Sequence, residues 1–344
     1  MPRPVSNPPN PLSSTHLEWI GEPPPATLSV YEEEARSILS ENDSPDLPFR
    51  FTANPYRGCM HACAYCYARP SHQYLGWGAG TDFDRKIVVK KNAPELLRAA
   101  LMRPSWAGDT IVFSGVTDAY QPLEASYGLT RRCLEVCLEF LNPVSVITKG
   151  ALVRRDVDVL GELARRARAF VYMSIPFASD ETARQIEPYA SRVSRRFEEL
   201  SALSEAGIPT GVGVAPVIPG LNDTDIPEIL ERAHAAGARR AFMGLLRLPR
   251  EVLPVFDERL EAALPERANK VRNGIREVRK GAMNSSAFGE RFRGSGARWQ
   301  VIERLFEAQC KRLGMNELRL AEGEEEAGKT TFRRPTRQGT LFDL

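Results

Sequence analysis

Between Phe49 and Leu246, short apolar runs closed by turn residues alternate with longer stretches whose apolar positions recur every three or four residues. The first pattern is that of a buried strand, the second that of a helix packed on one face. FRFTAN reads as a short opening strand, and DTIVFSG, PVSVITKG, AFVYMSI, IPTGVGVAPVI and ARRAFMGLL read as later ones. NAPELLRAALM, LTRRCLEVCLEFL, RDVDVLGELARRAR, a long stretch through Phe197, Leu200 and Leu203, and DIPEILERAHAAG read as helices. Asn92 is the expected N-cap of the first helix and Pro94 lies in its first turn. About six strand–helix units in series predict an α/β fold with a parallel sheet and helices outside. The pattern does not choose between a doubly wound sheet and a curved partial barrel. Both place functional groups at the C-terminal ends of the strands.

The pattern changes at both ends. Residues 1–48 are rich in Pro, Ser and Glu and read as an extended, partly disordered arm. Within it EEEARSILS is expected to form a short helix, and Trp19 and Tyr31 are the anchors if the arm docks. Residues 49–248 are the strand–helix core. Residues 249–314 read as a helical, basic extension interrupted by the Gly/Arg-rich connector GERFRGSGARWQ, and residues 315–344 as a flexible polar tail.

The stretch Asn54–Pro70, NPYRGCMHACAYCYARP, follows the first strand and so lies at the functional end. It holds Cys59, Cys63 and Cys66, three of the six cysteines in the chain. Three thiolates so close cannot all pair as disulfides, but they can ligate one soft metal centre. A structural zinc ion usually draws on C-x2-C pairs and needs a fourth ligand; His61 is on offer, but no second Cys/His pair follows. A ferredoxin needs a fourth cysteine, and Cys133, Cys137 and Cys310 lack that spacing. An iron–sulfur cluster with one iron open to a small molecule is favoured over both. Cys133 and Cys137 sit four apart in an apolar helical run and read as core residues.

The spacing C-x3-C-x2-C, with Tyr65 just before the third cysteine, resembles the cluster motif of the radical S-adenosyl-L-methionine (SAM) enzymes. The longer string NPYRGC…CAYCYARPSH, with YLG and DFDRKIVVKKN soon after, resembles the branch related to spore photoproduct lyase; the likeness runs from about Ser40 to Gly314. It implies an open, partial (βα)6 TIM-type barrel. It also implies a [4Fe–4S] cluster on Cys59, Cys63 and Cys66 that chelates SAM, cleaves it reductively and yields a 5′-deoxyadenosyl radical. Ser114, Gly115, Thr117 and Asp118 stand where the family places the turn facing the SAM amine, although Thr117–Asp118 also read as a plain turn or N-cap. Lys149, at a strand end, is a partner for the SAM carboxylate or a solvated lysine. Ser174 ends the fourth strand with a hydroxyl suited to SAM, and Arg195 and Arg196 return from the next helix. Ala215–Val217 are expected to meet adenine through their backbone, and Tyr65 to lie near it. Tyr120, Gln121 and Pro122 are candidates for the substrate side. His72, Tyr74 and Trp77 are candidates for the substrate entrance, His72 otherwise being a satisfied buried polar group. Spore photoproduct lyase uses a cysteine beside the second-strand motif; Phe113–Thr117 contains none, so the substrate and hydrogen donor do not carry over, and no catalytic residue is assigned.

Net charge is only +2, but the span from Pro265 to Arg312 carries twelve Lys/Arg against five Asp/Glu. Such a stretch is either a solvated face or a track for phosphates, with Arg279, Lys280, Arg291 and Arg293 as the candidate contacts. Gln338–Phe342, QGTLF, resembles the short peptide by which bacterial replication and repair proteins dock on the sliding clamp. Together these suggest nucleic acid, with lesion repair as one role. RNA or protein modification, or a non-catalytic iron–sulfur module that binds nucleic acid or the clamp, are the alternatives. A flavodoxin- or ferredoxin-type one-electron donor is implied. No apolar run is long enough to span a membrane, and MPRPVSNPPNPLSS has no apolar signal core, so a cytoplasmic protein is expected.

Overall fold

The computed structural model describes residues 7–14, 26–317 and 330–335. Its strands are β1 (Ser29–Glu33), β2 (Leu39–Glu41), β3 (Phe51–Ala53), β4 (Tyr56–Arg57), β5 (Lys86–Lys90), β6 (Ile111–Phe113), β7 (Val144–Thr148), β8 (Ala169–Ser174), β9 (Thr210–Val217) and β10 (Arg240–Leu245). The longer helices are α1 (Ala93–Met102), α2 (Leu129–Glu139), α3 (Val157–Arg166), α4 (Val193–Glu205), α5 (Ile226–Ala235), α6 (Val252–Ala263), α7 (Pro265–Val278) and α8 (Gly296–Arg312).

The main sheet runs β10-β9-β8-β7-β6-β3-β2, parallel throughout except for β2, which pairs antiparallel with β3. From β3 to β10 the strands follow in chain order and never reverse. A doubly wound sheet reverses at a switch point; winding in one direction is the habit of (βα) barrels. The six parallel strands therefore form a partial barrel, open among the described residues between β3 and β10. The core lies between the sheet and α1–α5, where Leu97, Leu134, Cys137, Leu160, Leu200 and Leu230 cover Phe113, Val146, Val171 and Val212. Cys133 and Cys137 are fully buried there, as their helical spacing suggests.

The N-terminal arm departs from expectation. Instead of a helix, EEEARSILS contributes to two strands: β1 lies parallel to β5 in a second small sheet, and β2 extends the main sheet. The β-branched run Ile87–Val89 offers a buried strand edge, and its pairing outweighs the helical preference of the acidic run. Asn92 stands at the N-cap of α1, as expected, but its side chain makes no capping bond. Its side-chain amide instead exchanges hydrogen bonds with the backbone of Ala35, at 2.9 and 3.0 Å, and so holds the arm. Tyr31 docks on Trp77, ring centroids 4.8 Å apart; Trp19 lies outside the described residues.

The tail is not wholly free either. Thr330 and Thr331 donate to the carbonyls of Gly108 and Leu141, Phe332 stacks on Phe140, and Arg334 bonds to the carbonyls of Arg103 and Trp106. These partners precede β6 and β7, so the segment packs on the end of the barrel opposite the cysteine loop. No helix among the described residues is long and apolar enough to cross a membrane.

Candidate active site

β3 delivers the chain to the C-terminal end of the barrel, where Gly58 opens the cysteine loop. A β-carbon there would lie 2.8 Å from both a His72 ring carbon and the Phe83 carbonyl, and φ is +79°, so only glycine fits. The loop is fixed from outside itself. Cys59 N donates to Phe83 O at 3.1 Å, Ala64 N to Ile186 O at 3.0 Å, and Tyr189 N to His61 O at 3.3 Å. Arg69, almost fully buried, donates twice to the Cys63 carbonyl and pairs with Asp84 at 2.9 Å. Gln121, also buried, receives Met60 N at 3.0 Å and donates to Gly58 O at 3.1 Å; the Thr117 hydroxyl reaches the same carbonyl at 2.6 Å.

All six cysteines are free; Cys63 feels the charge of Cys59 and Cys66, and Cys66 that of Cys59. Burial pushes the Cys66 thiol up to about 11 and the Cys63 thiol well above its ordinary value. Three soft donors on one rigid loop, with no disulfide to compete, suit a polynuclear iron–sulfur centre.

The residues expected to meet SAM fall into two groups. Asp118 is spoken for. One carboxylate oxygen receives the Thr148 hydroxyl at 2.5 Å and Tyr120 N at 2.9 Å; the other receives Lys149 N at 2.8 Å and lies 3.4 Å from the His61 ring. Burial opposes its charge, yet His61 and these donors hold it well below the usual carboxylate range. For His61 burial likewise opposes the charge, but Cys59 and Asp118 raise it to about 10. Asp118 thus ties the cysteine loop to the ends of β6 and β7, as the turn reading of Thr117–Asp118 allows. Tyr120 and Gln121, candidates for the substrate side, are fully buried, and Gln121 braces the same loop. His72 is buried too, with its ring nitrogen 2.8 Å from the Lys86 carbonyl.

The second group lies at the mouth. Ser114 and Gly115 are half-buried at the end of β6, and the space a Gly115 β-carbon would fill holds nothing nearer than Thr52 at 3.7 Å. The Lys149 ammonium lies 5.6 Å from the Tyr65 ring centroid. Ser174 donates to Ala215 O at 3.3 Å, which places the ends of β8 and β9 side by side.

Arg195 is corrected. It faces outward, 48% exposed, and pairs with Glu198 and Glu199 one turn along α4 at 2.7 Å. Arg196 turns inward instead: it pairs with Glu187 at 2.5 Å and donates to Ser174 O at 3.0 Å. Glu187, unmarked in the sequence, is the hub of this corner. It receives the Tyr65 hydroxyl and lies 4.0 Å from the Lys149 ammonium. Burial opposes its charge, but Arg196 and Lys149 hold it below the usual carboxylate range.

The basic extension is corrected in part. Arg279 is buried and spends its guanidinium on the carbonyls of Leu246, Glu290, Arg291 and Arg293. Arg291 pairs with Asp46 at 2.5 Å. Lys280 is 73% exposed, with Glu290 at 3.6 Å, and Arg293 is exposed.

The family model described as the Radical SAM superfamily matches residues 53–233, more than half of the chain and all of the barrel from the end of β3 into α5. The chain belongs to the radical SAM superfamily. Its members use a [4Fe–4S] cluster and SAM, so these are the cofactors the site must serve. An uncharacterised protein of Mycobacterium tuberculosis is 38% identical over 214 residues, 61% of this chain and 63% of its own; the chain thus spans about three fifths of the length of that relative. The radical SAM Nalpha-GlyT isomerase of Pseudomonas phage M6 is 28% identical over 263 residues, 75% of this chain and 52% of that one. Spore photoproduct lyase complexed with dinucleoside spore photoproduct superposes with a TM-score of 0.61 over 83% of this chain and 80% of that one, at 16% identity. At that identity the likeness speaks to the fold.

Proposed function

We propose that this radical SAM protein is an enzyme that acts on nucleic acid, with a damaged or modified base as target, and that Cys59, Cys63 and Cys66 hold its cluster. The observation that carries the reading is three free thiols on one braced loop at the C-terminal mouth of the partial barrel. When bound and reduced by a flavodoxin- or ferredoxin-type donor, the cluster with SAM supplies a 5′-deoxyadenosyl radical that removes a hydrogen from the substrate. The protein's part is to hold and shield. Lys149 brings a cation to the mouth for a carboxylate, and the open backbone at Ser114–Gly115 offers room for an amine. Tyr65, tied to Glu187, lends a fixed aromatic face. Nucleic acid is suggested by the exposed cations Lys280 and Arg293 of the basic extension; the lyase likeness speaks to the fold alone. Gln338–Phe342, outside the described residues, is proposed as a sliding-clamp peptide.

The test uses anaerobically reconstituted protein with dithionite and SAM, measuring 5′-deoxyadenosine with no addition, with ultraviolet-treated or untreated DNA, and with RNA. DNA is expected to raise the yield. Stimulation by RNA alone would make RNA the nucleic acid, and stimulation by neither would overturn the nucleic-acid reading.

A further inference from the structure

Beside the third cysteine begins a run of alternating aromatic rings and guanidinium groups. Tyr67 follows Cys66. The Arg247 guanidinium, just past β10, lies 5.6 Å from the Tyr67 ring centroid and 5.0 Å from that of Phe292. Arg291 lies 5.2 Å from the other neighbour of this stack, the Phe292 ring, and 4.7 Å from Phe288. The order in space is Tyr67, Arg247, Phe292, Arg291, Phe288.

The run is rigid where it is anchored and open where it ends. Leu245 N donates to Phe292 O at 2.9 Å, Arg279 gathers the carbonyls of Glu290, Arg291 and Arg293, and Asp46 fixes Arg291. Tyr67 is 49% exposed and Phe288 61% exposed. Arg247 is half-buried, and its Nε is buried with no hydrogen-bond partner. Two exposed rings in line with a part-desolvated guanidinium whose Nε lacks a partner leave a flat, cationic surface that a ligand can cover.

Flat rings next to a cation fit one ligand class well: an unpaired nucleotide, whose base stacks on ring or guanidinium and whose phosphate meets the arginine. We propose that this ladder is a stacking platform for single-stranded nucleic acid, holding nucleotides that flank the reacting one, with Arg247 as the phosphate contact and Tyr67 and Phe288 as the stacking ends. This rests on the nucleic-acid reading above and adds where the strand lies: across the β10 side of the mouth, from the cysteine loop to the connector between α7 and α8.

The test is binding, not turnover. The reconstituted full chain is titrated anaerobically into a labelled oligothymidylate of about a dozen nucleotides, into an abasic strand with the same number of phosphates, and into a polyglutamate peptide. Phe288→Ala should weaken oligothymidylate binding about fivefold or more and leave the abasic strand nearly untouched. Arg247→Gln should weaken both strands and reduce the salt slope by about one. Arg165→Ala, on the exposed face of α3, should change neither. Phe288 is a surface ring, so its variant keeps the fold. If wild type binds oligothymidylate and neither Phe288→Ala nor Arg247→Gln alters affinity or slope, the platform is wrong while the nucleic-acid reading stands. If wild type binds no strand, both fall. Tighter binding to polyglutamate than to either strand would overturn the platform in favour of an acidic protein partner.

Discussion

The hydroxyl of Tyr65 is given to Glu187, 122 residues further along the chain. That one bond joins the cysteine loop to the turn before α4, and through Arg196 and Lys149 to the ends of β7 and β8. The loop that must present three thiols in a fixed array is thus held by a buried ionic network, not by its own short sequence. Replacing Glu187 by Ala leaves Arg196 buried without its carboxylate, which should cost about 3–5 kcal/mol. Tyr65→Phe removes one hydrogen bond and should cost about 1 kcal/mol. Denaturant unfolding of the two single variants and the double variant measures both and their coupling. Additive effects would show that the two residues do not act on each other.

Neighbours on α4 should behave differently. Arg195→Ala removes the exposed pair with Glu198 and also the 2.7 Å pair with the buried Glu199, leaving that carboxylate Arg154 at 3.8 Å, and should cost about 1–2 kcal/mol. Arg196→Ala strips a buried pair and two carbonyl contacts, and should approach the loss seen for Glu187→Ala. Equal effects of the two arginines would contradict the inward placing of Arg196.

Much of the fold was legible because it is periodic. The strands and helices of the barrel carry period-two or helical apolar patterns, and the cysteines are recognisable by spacing alone. The phase of α4 was legible too: Arg196 shares a face with Val193 and Leu200, whereas Arg195 does not. The arm was not, because the pairing of Ser29–Glu33 with Lys86–Lys90 is long-range and overrides local preference. Nor was Glu187, since its role exists only once Tyr65, Lys149 and Arg196 converge. Asp118 shows the reverse. Its position at a strand end was plain, but only the structure shows its lone pairs already filled by Thr148, Tyr120, Lys149 and His61.

Lys90, only 8% exposed on β5, gives a pH signature. Burial first, then Arg57, lowers its pKa to about 8, with Glu33 opposing. Unfolded, the lysine keeps its proton to about 10.5. Between those values the unfolded chain binds more protons, so stability rises with pH from about 8 to about 10.5, and below 8 the full cost of the buried charge is present. Lys90→Met should stabilise the protein at neutral pH and flatten this rise. Unfolding midpoints across that range, the same for variant and wild type, would show that Lys90 does not carry it.

The segment Thr330–Pro335 docks at the N-terminal end of the barrel, opposite the cysteines, and Gln338–Phe342 lies outside the described residues. Full-length protein should bind purified clamp, and deletion of Gln338–Leu344 should abolish binding. Absence of binding by the full-length protein at micromolar concentration would rule the peptide out.

The most direct measurement is anaerobic. Wild type and Cys63→Ala are loaded with iron and sulfide and reduced with dithionite. Each is then given SAM in the presence of DNA, and 5′-deoxyadenosine is quantified. Wild type should form it, and Cys63→Ala should form none. Equal yields from both, or none from wild type with a full and reducible cluster, would contradict the assignment of Cys59, Cys63 and Cys66 as the centre of a radical SAM enzyme.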